Sequence, residues 1–123
     1  MPDIVLVEDS NSESGLACIA IALRRPGVRV REARDLQEAL ALLESGARPR
    51  VVILGWRALK DAARLPTSRL PFVGFAANLT QADKRRALDC GVRAIYERPS
   101  DWRPYCDALE ELLDQWLGTK QDA

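Results

Sequence analysis

Short apolar runs alternate with amphipathic stretches along the whole chain, and that alternation limits the fold more than any single residue does. Ile4-Val5-Leu6-Val7 is rich in β-branched residues and ends at Glu8-Asp9-Ser10, as a strand buried on both faces does. Val51-Val52-Ile53-Leu54 repeats the pattern and ends at Gly55. Phe72-Val73-Gly74-Phe75 forms a fourth strand led by Pro71, and Ala94-Ile95-Tyr96 a short fifth. Val28 to Ala33 sets Val28 and Val30 against Arg29 and Arg31, the mark of a half-buried strand near a sheet edge.

Helices fit between these runs. Ser10 or Ser12 caps the first, which runs to about Arg25 and stops at Pro26-Gly27. Its Leu16, Ile19 and Leu23 share one face, taken as the inner one, with Ile21 nearly opposite as an apolar outer residue. Asp35 caps the second, with Glu38 at the reciprocal capping-box position and Gly46 as the stop. Trp56 to Leu70 contains Pro66 and no long periodicity, so it reads as a short helix around Ala58 to Leu65 plus loop. Thr80, with Asp83 three residues on, caps a helix that ends at Cys90-Gly91. Ser100 or Asp101 caps the last, whose stripe is Trp102, Tyr105, Cys106, Leu109, Leu112, Leu113 and Trp116. The order βαβαβ(α)βαβα predicts a parallel sheet covered on both faces. A site in such a fold lies at the carboxyl ends of the strands.

With 123 residues the chain suits one domain, here 1–118, with 119–123 as a tail or the start of a linker. Eighteen basic residues offset eighteen acidic ones, so no general pull toward nucleic acid or anionic lipid arises. No apolar run is long enough to span a bilayer and the N-terminus lacks a signal-peptide pattern, so a cytoplasmic protein with reduced thiols is expected. The chain has no histidine, which excludes His-based catalytic dyads and His-containing metal sites.

The strand ends Glu8-Asp9-Ser10, Gly55-Trp56-Arg57, Ala76-Ala77-Asn78 and Glu97-Arg98-Pro99 together resemble the receiver domain of bacterial two-component response regulators. The likeness covers nearly the whole chain. It includes the acidic pair after the first strand, the Ala87-Leu88-Asp89-Cys90-Gly91 ending of the fourth helix, and Arg98-Pro99 where the family has Lys-Pro. Ala76 to Arg98 is 22 residues, the family's spacing between its switch hydroxyl and its lysine. The resemblance implies a flavodoxin-like, CheY-like sheet of order 2-1-3-4-5. It also implies a phosphoacceptor carboxylate, an acidic pair that helps hold Mg²⁺, a hydroxyl, a lysine and a switch aromatic.

Of that set, only Glu8 and Asp9 stand unchanged. Gly55 falls at the phosphoacceptor position and cannot form an acyl phosphate. Ala76 falls at the hydroxyl position, Arg98 at the lysine, and Ile95 at the aromatic. Tyr96 is one step off and so on the opposite face of its strand. Gly55 to Ala76 spans only 21 residues, so the third helix and its preceding loop must be shortened. The expectation is a degenerate receiver, a non-enzymatic module with no cofactor that recognises protein partners without a phosphoryl switch. Glu8 and Asp9 would hold Mg²⁺ weakly at best, and are read as leftover acids, solvated or paired with Arg98 or Arg57.

Two rival functions remain at this stage. Asp9, Glu8 or Asp61 could be a displaced phosphoacceptor, with Asp61 more simply a surface residue. Alternatively, Gly55 and Ala76 could leave a pocket where Arg98 and Arg57 attract a small anion, although no Gly-rich phosphate loop follows the first strand. Cys18, Cys90 and Cys106 lack CxxC spacing and read as small buried residues. Lys84, Arg85 and Arg86, and the arginines from Arg24 to Arg34, lack interleaved aromatics and read as solvated faces. The acids Asp107, Glu110, Glu111 and Asp114 could pair with Lys84-Arg85-Arg86 within or between subunits. With Tyr96 they would then form a homodimer surface on the fourth helix, fifth strand and fifth helix, the family's usual partner face. Trp116 is read as a partner anchor or as cover for the sheet edge.

Overall fold

The computed structural model describes residues 2–61, 65 and 70–118. Five strands form one parallel sheet: β1 (Ile4–Val7), β2 (Val30–Ala33), β3 (Val51–Leu54), β4 (Phe72–Ala76) and β5 (Ala94–Glu97), in the order β2-β1-β3-β4-β5. This is the doubly wound arrangement expected. The three inner strands are buried along their whole length because helices cover both faces. The charges Arg31, Glu32 and Glu97 lie on the two edge strands.

Alternate strand residues feed two cores. Ile4, Leu6, Ile53, Val73 and Phe75 pack against α1 (Asn11–Arg24) and α5 (Trp102–Leu117). Val5, Val7, Val52, Leu54 and Ala76 pack against α2 (Leu36–Glu44), α3 (Trp56–Asp61) and α4 (Gln81–Asp89). Burying this much aliphatic surface is the main favourable contribution to folding, at about 25 cal/mol per Å². Leu109, Leu112 and Leu113 are essentially inaccessible, so truncating one to alanine is expected to destabilise by about 2–5 kcal/mol.

Capping follows the sequence in part. Ser10 accepts from the Glu13 N–H, and Thr80 and Asp83 form a full capping box. Asp35 accepts from the Glu38 N–H, the forward half of the predicted box. Asp101 occupies the N-cap of α5 with no side-chain cap bond, so the expected cap by Ser100 or Asp101 is not made. Gly91, at φ +115°, ends α4 as predicted.

Two helix readings need correction. The third helix begins at Trp56, two residues earlier than expected, and Leu65 is outside it; residues 62–64 of the predicted span lie outside the described residues. Its shortness is compensated locally. Arg86 of α4 donates to the Leu59 and Lys60 carbonyls, which the helix end leaves open. A Cβ on Gly74 would fall 2.9 Å from both Leu59 methyls, so β4 needs glycine for α3 to lie this close.

The first helix is turned the other way from the expected one. Ser14, Ala17, Ala20 and Ile21 face the sheet, while Leu16, Ile19 and Leu23 are 40%, 53% and 62% exposed. Small residues let α1 settle against β1, and the Ser14 hydroxyl is satisfied by Glu32 of β2. The larger apolar residues thus lie on the outer face and the smaller ones, with Ile21, on the inner.

Candidate functional site

Parallel pairing brings Glu8, Gly55, Ala76 and Arg98 to one end of the sheet. The Gly55 N–H donates to the Val7 carbonyl at 2.8 Å, and the Arg98 N–H to the Ala76 carbonyl at 3.0 Å. The backbone thus sets Gly55 beside Glu8 and Arg98 beside Ala76, before any side chain is considered.

The side chains close this end from within. Glu8 lies directly over Gly55: a Cβ on Gly55 would stand 2.7 Å from Glu8 Oε1 and 3.1 Å from Oε2. Burial, then the neighbouring Asp9, pushes the Glu8 carboxyl above its ordinary value. Arg98 does not pair with the Glu8–Asp9 acids as expected. It donates to Glu13 Oε2 at 2.8 Å, in the first turn of α1. Tyr105, beside this pair, is buried and edge-on to Phe75, and burial raises its phenol.

Glu8, Glu13, Gly55, Arg98 and Tyr105 enclose a cavity of about 10 Å³. That is room for one water molecule. The expected vacancy left by Gly55 and Ala76 is therefore filled. Glu8 takes the space over Gly55, and Ala76 is fully buried in the opposite core.

Asp9 points outward and meets Arg57 at 4.0 Å, both largely exposed. Asp61, at the end of α3, shares with them a groove of about 230 Å³ that also includes Arg34 and Asp35. Among the described residues no group of three or more His, Cys, Asp or Glu side chains is placed to hold a metal ion. The donor set also fits Mg²⁺ poorly. A hard cation takes several oxygen ligands, whereas Asp9 faces an arginine and Gly55 offers no side chain.

The predicted interface residues separate. Asp107 and Glu110 pair with Arg24 at 2.7 Å, and Asp114 with Arg25 at 2.9 Å. The acids of α5 thus join α1, not Lys84-Arg85-Arg86. Sequence reading missed this because Arg24 and Arg25 sit more than 80 positions away and only the α1–α5 contact unites them. Glu111 is exposed. Lys84 and Arg85 border an open groove with Leu88 and Arg93, while Arg86 serves α3. Ile95 packs toward the α2–α4 side and Tyr96 toward the α1–α5 side, as strand alternation requires. Trp116 donates to the Tyr96 hydroxyl at 2.9 Å and covers the β5 edge. Cys18 and Cys90 are half-buried, Cys106 is buried, and all three are free thiols.

No protein-family model matches the chain, and no curated protein matches it. Solved structures do match over nearly its full length. The phosphorylated cyanobacterial phytochrome response regulator RcpA is 22% identical, with a TM-score of 0.77 over 93% of this chain and 92% of its own. A response regulator from Hahella chejuensis gives a TM-score of 0.78 at 14% identity, over 95% and 96%. RPA3017, in red light signaling of R. palustris, gives 0.77 at 17% identity, over 97% and 96%. At these identities the likeness is one of fold: the chain has the fold of response-regulator receiver domains. No described helix is long and apolar enough to cross a membrane.

Proposed function

We propose that this chain is a degenerate receiver domain of two-component or phosphorelay signalling, acting through protein recognition without a phosphoryl switch. One observation carries the reading. The end of the sheet where a receiver does its chemistry has Gly55 at the end of β3, with the Glu8 carboxylate laid over it. Glycine has no atom to accept a phosphoryl group. The cation that would neutralise such a group, Arg98, is already bound to Glu13. The remaining cavity admits about one water.

The module is non-enzymatic and cytoplasmic in this reading, spans 1–118, and needs no cofactor. Its partner is another signalling protein or an output domain. A small-anion site at Arg98 is disfavoured because a tethered carboxylate occupies it.

Intact mass after incubation with an acyl-phosphate donor and excess Mg²⁺ tests the proposal. The expected result is no phosphoryl adduct. An adduct abolished by Asp9→Asn or Asp61→Asn would overturn it and identify a displaced acceptor in the Asp9–Asp61 groove.

A further inference from the structure

The outer face of α1 is apolar and uncharged, and among the described residues none covers it. Leu16, Ile19 and Leu23, at the 3–4 spacing of a helix seam, are 40%, 53% and 62% exposed. From Ser14 to Leu23 the helix has no charged residue. The charges near its ends are engaged internally: Glu13 with Arg98, Arg24 with Asp107 and Glu110, and Arg25 with Asp114.

Gly15 is the second observation. It lies within the second turn of a 14-residue helix, where glycine is worse than alanine. Nothing within 4 Å would meet a Cβ there. Packing among the described residues therefore gives no reason for the missing side chain. Ala22, seven residues on and exposed, is on the same side.

We infer that this face binds the same face of a second copy, as an antiparallel α1–α1 pair about a two-fold axis at Ile19. The sequence is self-complementary in that register. Positions symmetric about 19 are 15 with 23 and 16 with 22, so Leu23 of each copy meets Gly15 of the other, and Leu16 meets Ala22. Each large residue faces a small one, and Ile19 meets itself, as an isologous contact requires. Antiparallel helices also set opposite macrodipole ends side by side. A charged partner would find no complementary charge on this stripe, whereas the chain's own α1 supplies a matching surface.

The exposed parts of the three large residues amount to on the order of 300 Å², against about 800 Å² per partner in a standard stable interface. The dimer is accordingly weak, with a dissociation constant on the order of 100 µM.

Sedimentation velocity from about 10 µM to about 1 mM tests this, spanning the expected constant. Wild type is expected to pass from monomer to dimer across that range. Ile19→Glu, on an exposed position that leaves the core intact, is expected to weaken association at least about tenfold. Gly15→Ala separates docking from folding: with open space around it, the variant melts higher than wild type yet dimerises less. Ile19→Cys should cross-link to itself under mild oxidation, and Leu16→Cys should not, which fixes the antiparallel register. A monomer throughout, a dimer indifferent to Ile19→Glu and Gly15→Ala, or a stripe that captures only a different protein would each overturn the inference.

Discussion

Arg98, the residue after β5, reaches across the strand ends to Glu13 in the first turn of α1, Nη1 to Oε2 at 2.8 Å. Both side chains are only partly exposed, at 25% and 33%, so water screens the pair less than it would at the surface. Arg98→Ala and Glu13→Gln are each expected to lower stability by about 1 kcal/mol. The double variant should lose little more than either single one. Urea unfolding of the four proteins measures the coupling; fully additive losses would mean the contact is incidental.

The closeness of Glu8 to Gly55 predicts a background-dependent substitution. Gly55→Ala puts a methyl 2.7 Å from Glu8 Oε1, so the carboxylate must swing away. The variant should lose stability by about 1 kcal/mol in the native background. In a Glu8→Ala background the same change should be neutral or stabilising by up to about 1 kcal/mol, because alanine restricts the unfolded chain. Equal effects in both backgrounds would refute the contact.

Glu8 also gives a pH signature. Its carboxyl is raised above 4.5 by burial and by Asp9, so the folded state holds this proton more tightly than the unfolded chain does. Between the unfolded value and the raised folded value the native state binds more protons, and stability falls as pH rises through that window. Glu8→Gln removes the penalty. Its thermal midpoint should exceed wild type at pH 7, and the difference should shrink toward pH 4. A constant difference across that range would mean that Glu8 ionisation does not matter to the fold.

Two arginines on the α1 side should differ in weight. Arg25 is 12% exposed and bridges Asp114 and the Gly118 carbonyl at 2.9 and 2.8 Å. Arg29 is 64% exposed and only 3.7 Å from Asp3. Arg25→Ala should therefore lower stability by about 1–3 kcal/mol and Arg29→Ala by less than about 0.5 kcal/mol. Chemical denaturation under one buffer compares them directly.

What the sequence makes legible here is whatever depends on near neighbours. The unbroken apolar runs Ile4–Val7 and Val51–Leu54 show strands covered on both faces, and Thr80 with Asp83 marks a helix start in three residues. Glu8, Gly55, Ala76 and Arg98 could be assigned to one end of the sheet because parallel strands put their carboxyl ends together. Side-chain partners were legible only in part: Asp9 meets Arg57, one of the two arginines named for it. Arg98 chose Glu13 over the nearer-seeming acidic pair, and the α5 acids chose Arg24 and Arg25, through helix contacts that no local pattern records. The inversion of α1 has a similar origin. Ala17 and Ala20 allow close approach to the sheet, and hydrophobicity alone does not register how close two backbones can come.

Glu13 has one more consequence as the partner of Arg98. A carboxylate fixed to the same chain competes at an effective concentration that is millimolar or higher and never varies with metabolism. A free anion that reached Arg98 would have to outcompete a rival that cannot diffuse away.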